Sequence, residues 1–430
     1  KLYVFILWAL LPLLTMGKGI LIQNVVIFDG KSEKTVTGNV WIEDNAIRKV
    51  SAEPIVAGAE VEVIDGRGKF LMPGLIDAHW HAYLAANTMV DLLTAHASYT
   101  QLKAGEEAGK TLLRGFTTGG PVFGLKRAID EGTLPGPRIY PSGAIISETG
   151  GHADFRMVYD IPEPFDCCGL THTEKIGAAI IADGVDAVIV ASRNNLRLGA
   201  SQIKLMAGGG VSSLYDQLED VQYFEDELHA AVMAAEDAGT YVMVHVYVPE
   251  AIRRAIRAGV KSIEHGQLID EPTMKLIAEK GVWLSMQPFI GEGNNHYTNP
   301  VQQAKHELVV QGTDRAYQLA KKYGVKLAWG TDLLFSPANA RNQNLNIEKM
   351  TRWFSNFEIL KMITHDNAEL LALSGRRNPY PGKLGVIEEG ALADLIVVDG
   401  NALEDIKVLT DPGKNMLLIM KDGKIYKNDL

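Results

Sequence analysis

The stretch FLMPGLIDAHWH, residues 70–81, decides the fold. An apolar run of strand length leads into Asp77, and His79 and His81 follow it two positions apart. Side chains two apart in a strand point to the same face, so the two imidazoles converge. In an α/β barrel the carboxyl ends of the strands carry the active site, and this pair lies at such an end. The pair alone fits either a metal site or two core histidines.

The sequence after this stretch alternates short apolar strands with amphipathic helices. Seven further strand candidates follow, namely GFTTGG, RIYPSGAII, SQIKLMAGG, TYVMVHVYV, KSIEHGQLI, VWLSMQPFI and KLAWGTDLL. Apolar residues recur at helical spacing over residues 225–239 and 249–259, and both segments end in glycine, as helices often do. Eight strands separated by helical material predict an α/β fold, a (β/α)8 TIM barrel over residues 71–382.

Both flanks of this central region have the pattern of β-structure. Short β-rich runs alternate with Asp-Gly turn signals before residue 70, and the same pattern returns near Asp422 and Gly423. We therefore expect a small β-sandwich assembled from both chain ends, residues 18–70 and 383–430.

The first residues have the pattern of an export signal. Lys1 precedes an apolar run over residues 2–14, and the small residues Thr15 and Gly17 follow it. This pattern predicts a signal peptide over residues 1–17 and an exported protein, periplasmic or secreted. The run is shorter than the ~20 residues of a transmembrane helix, so no stable membrane span is expected in the mature chain. An uncleaved anchor is the alternative.

Composition narrows the range of partners. The chain has 430 residues and a formal net charge of −10, so nucleic acid, which binds basic surfaces, is not expected. Its two cysteines, Cys167 and Cys168, are adjacent in sequence. This excludes a disulfide framework and a cysteine-rich zinc site.

Four more polar residues lie within or at the ends of later strand candidates. They are Lys204 in QIKLM, His245 in VMVHVYV, His265 in SIEHGQ and Asp332 in LAWGTDLL. Each one alone fits a core or capping role. Their order along successive strands, after the first histidine pair, favours one shared site.

Lys204 is unusual because lysine is almost never fully buried unless it is paired. A snorkelling lysine at a strand edge is one interpretation. The other is a lysine carboxylated by carbon dioxide, since burial lowers the pKa of the amine and keeps it neutral enough to react. The resulting carbamate is an anionic oxygen ligand that can bridge two metal ions.

The pattern resembles the binuclear metal-dependent amidohydrolase superfamily over essentially the whole chain. PGLIDAHWH near the first strand and GALADLIVVDGN near the end are both similar to that superfamily. SETGGHAD, QIKLMAGGGVSS and SIEHGQLID resemble its Xaa-Pro dipeptidases and related carboxypeptidases, and ochratoxin-hydrolysing amidases share much of this pattern.

The resemblance implies a cofactor and a role for each residue. Two divalent metal ions are expected, with zinc as the first candidate, although manganese and cobalt also suit nitrogen and oxygen ligands. The resemblance assigns His79, His81 and Asp332 to the more buried ion, His245 and His265 to the more exposed one, and N6-carboxylated Lys204 to both. It also implies that His152 and Tyr247 line the substrate pocket, that His152 stabilises the oxyanion, and that Asp332 transfers the proton.

The implied activity is hydrolysis of an amide or peptide bond to a C-terminal amino acid by a metal-bridged hydroxide. The small-molecule substrate would be a dipeptide or an N-acyl amino acid, as in a dipeptidase, carboxypeptidase or amidase. An amidohydrolase acting on a cyclic amide or imidazolone is one alternative. A non-catalytic scaffold is another, which the complete ligand set disfavours. The resemblance also implies a homo-oligomer.

Two loops bear on the substrate. Residues 115–124 read GFTTGGPVFG where relatives commonly read GFTTVRDAGG, so the usual arginine and aspartate are absent. The polar, glycine-rich loop over residues 288–300 is expected to overhang the site, with His296 and Tyr297 near substrate, or else to be a plain surface loop. The remaining histidines are expected to be structural or exposed: His96, His172, His229, His306 and His365.

Overall fold

The structure is a computed structural model that describes residues 19–119, 122–160, 169–291 and 297–430. The predicted signal peptide, the cysteine pair Cys167 and Cys168, and His296 lie outside the described residues. Within them, no helix has both the length and the apolar character that crossing a bilayer requires.

Strands account for both chain flanks and for the centre. The described strands are β1 (Gly19–Ile27), β2 (Val36–Glu43), β3 (Ala46–Ser51), β4 (Val61–Asp65), β5 (Phe70–Pro73), β6 (Leu75–Ile76), β7 (Phe116–Gly119), β8 (Arg138–Ile139), β9 (Ile145–Ser147), β10 (Ala179–Ile181), β11 (Ile203–Met206), β12 (Val242–Val246), β13 (Ser262–His265), β14 (Trp283–Met286), β15 (Leu327–Trp329), β16 (Leu395–Val398), β17 (Met416–Lys421) and β18 (Lys424–Asn428).

Helices separate most of the central strands. The described α-helices are α1 (Ala82–Ala86), α2 (Met89–Thr94), α3 (Ala97–Leu113), α4 (Phe123–Asp130), α5 (His172–Lys175), α6 (Val185–Leu198), α7 (Glu225–Asp237), α8 (Pro249–Ala258), α9 (Glu271–Lys280), α10 (Pro300–Tyr323), α11 (Pro337–Ala340), α12 (Leu345–Lys349), α13 (Asn356–Lys361), α14 (Asn367–Ala372) and α15 (Pro412–Asn415). A π-helical turn, Met362–Asp366, joins α13 to α14.

The two flanks of the chain share one sheet. Its strand order is β18-β17-β16-β5-β1-β2-β3, with β4 added in parallel to β1. The hairpin between β17 and β18 turns at Asp422 and Gly423, which both have positive φ angles, 55° and 69°. Two such residues are what a two-residue hairpin turn of the right twist requires, so the Asp-Gly signal is confirmed here.

The centre of the chain forms parallel sheets. One has the order β10-β9-β11-β12-β13-β14-β15, and the other has the order β6-β7-β8. Backbone hydrogen bonds also join the two sheets. Ala78 N, after β6, donates to Trp329 O in β15 at 3.2 Å, and Ser201 N, just before β11, donates to Pro141 O, just after β8, at 2.7 Å. The strand ends that carry the predicted site residues therefore lie side by side.

Two of the expected strands are interrupted. The segment predicted as one strand from residue 71 divides at Gly74 into β5, which belongs to the flanking sheet, and β6, which belongs to the centre. A Cβ on Gly74 would lie 2.2 Å from Thr117 Oγ1, so only glycine permits this crossing. The predicted domain boundary after residue 70 falls inside β5. The segment RIYPSGAII divides likewise into β8 and β9, where Gly143 adopts a φ of 77°.

The two helices predicted from apolar spacing are both present, as α7 and α8. Helix α8 begins with Pro249, whose fixed φ suits the first turn, and ends at Gly259 with a φ of 102°. The Gly259 N–H donates to the carbonyls of Ala255 and Ile256, which closes the last turn. Its apolar face, which includes Ile252 and Ile256, is buried.

A buried ion pair fastens the flanking sheet to the centre. Arg138 in β8 donates to both carboxylate oxygens of Asp394, at 2.8 and 3.0 Å, and to Asp422 at 2.7 Å. The Arg138 and Asp394 side chains are only 5% and 2% exposed. Every charge in this cluster therefore has a direct partner.

Candidate metal centre

The carboxyl ends of the central strands bring the six predicted ligands to one place. His79 and His81 follow β6, while Lys204, His245, His265 and Asp332 lie in or after β11, β12, β13 and β15. The first residue, His79, contacts the last, since Asp332 N donates to His79 O at 2.9 Å. A Cβ on Gly330 would lie 2.4 Å from the His79 Cβ, so glycine at 330 permits this approach.

The spacing of three of these groups fits a bound metal ion. The ligand atoms of His79, His265 and Asp332 all lie within 4.8 Å of one another. Asp332 Oδ1 lies 3.5 Å from Nε2 of both His79 and His81. That distance is long for a hydrogen bond. It matches the ~3.4 Å that separates two ligands held about 2.1 Å from one tetrahedral ion.

His265 lies between the two groups of histidines. Its ring centroid is 4.9 Å from that of His79 and 4.4 Å from that of His245. The structure therefore places all the predicted imidazoles in one cluster. How they divide between two ions stays a prediction.

Partners on the outer side of the cluster orient two of the imidazoles. His79 Nδ1 lies 2.7 Å from Glu264 Oε2, and His265 Nδ1 lies 2.6 Å from Gln287 Oε1. Such contacts fix the ring and leave the other nitrogen for the metal. Neither partner was predicted from the sequence. The signal was available, because Glu264 and Gln287 are polar residues within or just after apolar strands, as Lys204 is.

Lys204 is buried, with 2% of the residue exposed. Among the described residues its ammonium has no hydrogen bond and no ion pair within 4.0 Å, although Glu264 and Asp332 are near enough to act on its charge. Burial lowers the pKa of Lys204, and the two carboxylates oppose this shift. A buried amine with a lowered pKa has the chemistry that carboxylation needs.

Burial also sets the protonation of the other groups. It lowers the pKa of His79, His81, His245 and His265 well below the usual value, so their nitrogens carry lone pairs at neutral pH. It raises the pKa of Asp332 above its usual value, against the effect of Lys204. A cation bound between these groups would favour the ionised carboxylate.

The backbone is strained at two of these positions. His265 has a φ of 80° and Asp332 a φ of 48°, the left-handed region that residues other than glycine rarely adopt. Strain of this kind persists where the surrounding structure enforces it, commonly at functional sites. Phe335, three residues after Asp332, has a φ of 53° and lies on the wall of the adjoining cavity.

A cavity of about 430 Å³ opens from the cluster. His152 lines it and stacks on His245, with ring centroids 4.1 Å apart. Tyr297 also lines it, as expected for a residue of the overhanging loop. Tyr247 does not reach this cavity. It lies against the rings of His245 and His265, both at 5.1 Å, and lines a smaller adjoining cavity of about 60 Å³.

Comparison with known proteins identifies relatives of this chain. Residues 70–426 match the sequence profile of the amidohydrolase family. An ochratoxinase of Aspergillus niger is 31% identical over an alignment of 432 positions. The alignment covers 96% of this chain and 87% of that enzyme. A crystal structure of a prolidase complexed with N-methylphosphonate-L-proline superposes with a TM-score of 0.87 at 34% identity, covering 96% of this chain and all of the prolidase. An Xaa-Pro dipeptidase with methionine bound in its active site superposes with a TM-score of 0.82 at 30% identity, with the same coverage.

Proposed function

This chain belongs to the amidohydrolase family, and from that premise we propose that it cleaves the amide bond to a C-terminal amino acid, in a dipeptide or an N-acyl amino acid. The relatives named as prolidase, Xaa-Pro dipeptidase and ochratoxinase support this substrate class. The observation that carries the proposal is the cluster of four histidines, Asp332 and Lys204 at the base of a cavity large enough for such a molecule.

The donor set fits two divalent ions. We assign His79, His81 and Asp332 to one ion, His245 and His265 to the other, and N6-carboxylated Lys204 to both, with zinc as the first candidate. When bound, the ions supply a Lewis acid for the scissile carbonyl and lower the pKa of water toward neutrality. The lack of a direct partner for the buried Lys204 amine, among the described residues, supports its carboxylation.

The side chains around the cluster then divide the remaining work. The Asp332 carboxylate accepts a proton from the attacking water and delivers it to the leaving nitrogen. His152, at the cavity edge of the cluster, donates a hydrogen bond to the oxygen that gains charge as the carbonyl is attacked. Tyr247 packs against two of the histidines and borders the space beside them.

The cavity walls restrict the substrate further. The lining includes an apolar group of residues, namely Leu84, Met89, Leu93, Phe155, Leu334 and Phe335. It also includes polar residues, among them Ser212, Ser213, Thr298, Asn299 and Gln302. We infer an amide that carries a large apolar group as well as polar groups.

The architecture that supports this site is also part of the proposal. The hydrogen bonds that join the two parallel sheets, from Ala78 to Trp329 and from Ser201 to Pro141, support a closed (β/α)8 barrel over residues 71–382. The sheet shared by both flanks supports a β-sandwich of residues 18–70 and 383–430. Export and homo-oligomerisation stay predictions.

Metal content and a substrate panel test the proposed function together. The metal-loaded protein is expected to hold two ions per chain and to cleave dipeptides or N-acyl amino acids, with aromatic or large aliphatic members cleaved best. Cleavage of cyclic amides alone would replace the substrate class. Fewer than one ion per chain would contradict the binuclear site and support a non-catalytic scaffold.

A further inference from the structure

A chain of hydrogen bonds runs from the cavity into the protein through His152, Ser213 and Asp216. His152 Nδ1 lies 2.9 Å from Ser213 Oγ and 3.6 Å from Asp216 Oδ2, and Ser213 Oγ makes a short contact with Asp216 Oδ1. We propose that Ser213 and Asp216 are positioning residues that hold the His152 imidazole through a hydrogen bond from Nδ1 and present the Nε2–H to the substrate. This inference rests on the proposed role of His152 at the scissile bond.

The donors and acceptors permit one consistent arrangement. An ionised Asp216 carboxylate only accepts hydrogen bonds, so the single hydroxyl hydrogen of Ser213 goes to Asp216 Oδ1. Ser213 Oγ is then left to accept the hydrogen of His152 Nδ1. A second ring hydrogen, on Nε2, is the one donated to the substrate oxygen, and the Asp216 carboxylate lies 3.6 Å from the ring. A weaker contact from Ser213 Oγ to Gly210 O, at 3.2 Å, competes for the same hydroxyl hydrogen. The charged acceptor is favoured over this neutral one.

Asp216 is itself held in its ionised form. Its side chain is fully buried, but hydrogen bonds and charges from His152, Ser213 and Lys305 outweigh burial and lower the pKa of Asp216 to about 2. Gly210 N donates to Asp216 Oδ2 at 3.0 Å. The carboxylate thus has partners on both oxygens.

Lys305 lies outside the loop of residues 210–216 and anchors it. Its buried ammonium, on helix α10, donates to Asp216 Oδ1 at 3.2 Å and to the carbonyls of Gly210 at 3.1 Å and Ser213 at 3.2 Å. It also donates to the Asp216 carbonyl. The loop is therefore folded around a cation carried by a long helix, which gives the histidine a rigid support.

The imidazole is confined on its other sides as well. A Cβ on Gly210 would lie 2.0 Å from His152 Cε1, so the ring packs directly on the backbone at that glycine. His245 stacks on the ring at 4.1 Å, and the His152 backbone N–H donates to Gln222 Oε1 at 3.0 Å. Among the described residues, Nε2 of His152 has no hydrogen-bond partner. Nε2 is therefore the ring nitrogen that remains available to a substrate.

A double-mutant cycle separates positioning from simple loop stability. Ser213→Ala is expected to lower kcat by about 10- to 100-fold with little change in KM, as the loss of an orienting partner does. Metal content should stay at the wild-type value. Ser213→Thr keeps the hydroxyl and should restore most of kcat. In a His152→Ala background, Ser213→Ala should cost no more than about twofold, because residues that act as a unit are not additive.

Asp216→Asn should behave as Ser213→Ala does, but it leaves Lys305 buried without its carboxylate, so the serine variant is the primary test. An equal loss from Ser213→Ala with and without His152 would overturn the inference while leaving the proposed function intact. If the wild type cleaves no amide, the proposed function fails. The crystal structure of Ser213→Ala then decides the positioning role: a rotated or doubly oriented His152 ring supports it, and an unmoved ring contradicts it.

Discussion

Two buried basic residues on central strands, Arg138 and Lys204, have opposite surroundings. Arg138 has direct hydrogen bonds to the carboxylates of Asp394 and Asp422. Lys204 has no hydrogen bond or close ion pair among the described residues. Burial opposes the charge of both, yet the partners of Arg138 raise its pKa, whereas the pKa of Lys204 is lowered.

The difference separates a structural role from a chemical one. A buried ion pair whose donors and acceptors all match holds two parts of a protein in register, and removing one partner is costly. A buried amine without a direct partner contributes little to the stability of the fold. Its perturbed pKa inside a cleft is instead typical of a functional group. The two residues should therefore respond to mutation in opposite ways.

The largest expected effect tests the chemical role of Lys204. Lys204→Met should lower turnover by at least about 1,000-fold, since metal ions contribute several kcal/mol to such reactions. The free energy of unfolding of the metal-free protein should stay the same or rise. Turnover, metal content and urea unfolding of the metal-free protein measure this. Activity within tenfold of the wild type would contradict the assignment of Lys204 to the metal site.

The second effect tests the structural role of Arg138. Arg138→Met leaves Asp394 buried without its partner and should lower the free energy of unfolding by about 3–5 kcal/mol. Metal binding per folded chain should be retained. Urea unfolding gives the stability, with Arg127→Ala, which removes an exposed pair with Glu131, as the matched control. A stability equal to that of the control would show that the buried pair does not fasten the sheets.

Glu264→Gln sharpens the comparison because it removes one negative charge beside Lys204 and keeps the shape of the residue 264 side chain. The His79 imidazole would lose a carboxylate on Nδ1 and should bind metal about 10- to 100-fold more weakly. Competition with a chelator measures this affinity. Glu225→Gln, which alters an exposed pair with Arg257, serves as the control. An affinity unchanged from that control would mean that Glu264 does not orient His79.

Asp216 and Lys305 provide a second buried ion pair, and the smallest expected effect. The pKa of Asp216 in the folded protein is about 2, below the ordinary value of 3.8. Its contribution is therefore fully present above about pH 4 and is lost as the pH falls toward 2. The amount is about 2 kcal/mol. Urea unfolding at pH 4 and pH 2.5 should show a smaller decrease for Asp216→Asn than for the wild type, and equal decreases would contradict the assignment.

Local sequence signals predicted much of the fold and the strand-end positions of the candidate ligands. Apolar spacing and terminal glycines locate α7 and α8 because both act within one helix. The strand-end positions of His79, Lys204 and Asp332 could be read in the same way, since a polar residue in an apolar strand needs a reason. The divisions at Gly74 and Gly143 could not be predicted. They depend on Thr117 and Asn195, side chains that only the folded chain brings near.

The positioning residues of the site show the same limit. Glu264 and Gln287 lie in apolar surroundings and were detectable by the argument that selected Lys204. Asp216 and Lys305 were not, because their approach to His152 depends on the path of a loop and the placement of helix α10. The spacing of residues in the sequence predicts neither the path of that loop nor the placement of α10.

The flanking sheet has a consequence for the chain during its synthesis. Strand β5 pairs with β16, and residues 74–394 lie between them. At 5–20 residues per second, a ribosome needs about 15–65 s to make that interval. Throughout it, the edge of β5 that later pairs with β16 has no partner strand, so the incomplete chain is the form of this protein most exposed to aggregation and to chaperones.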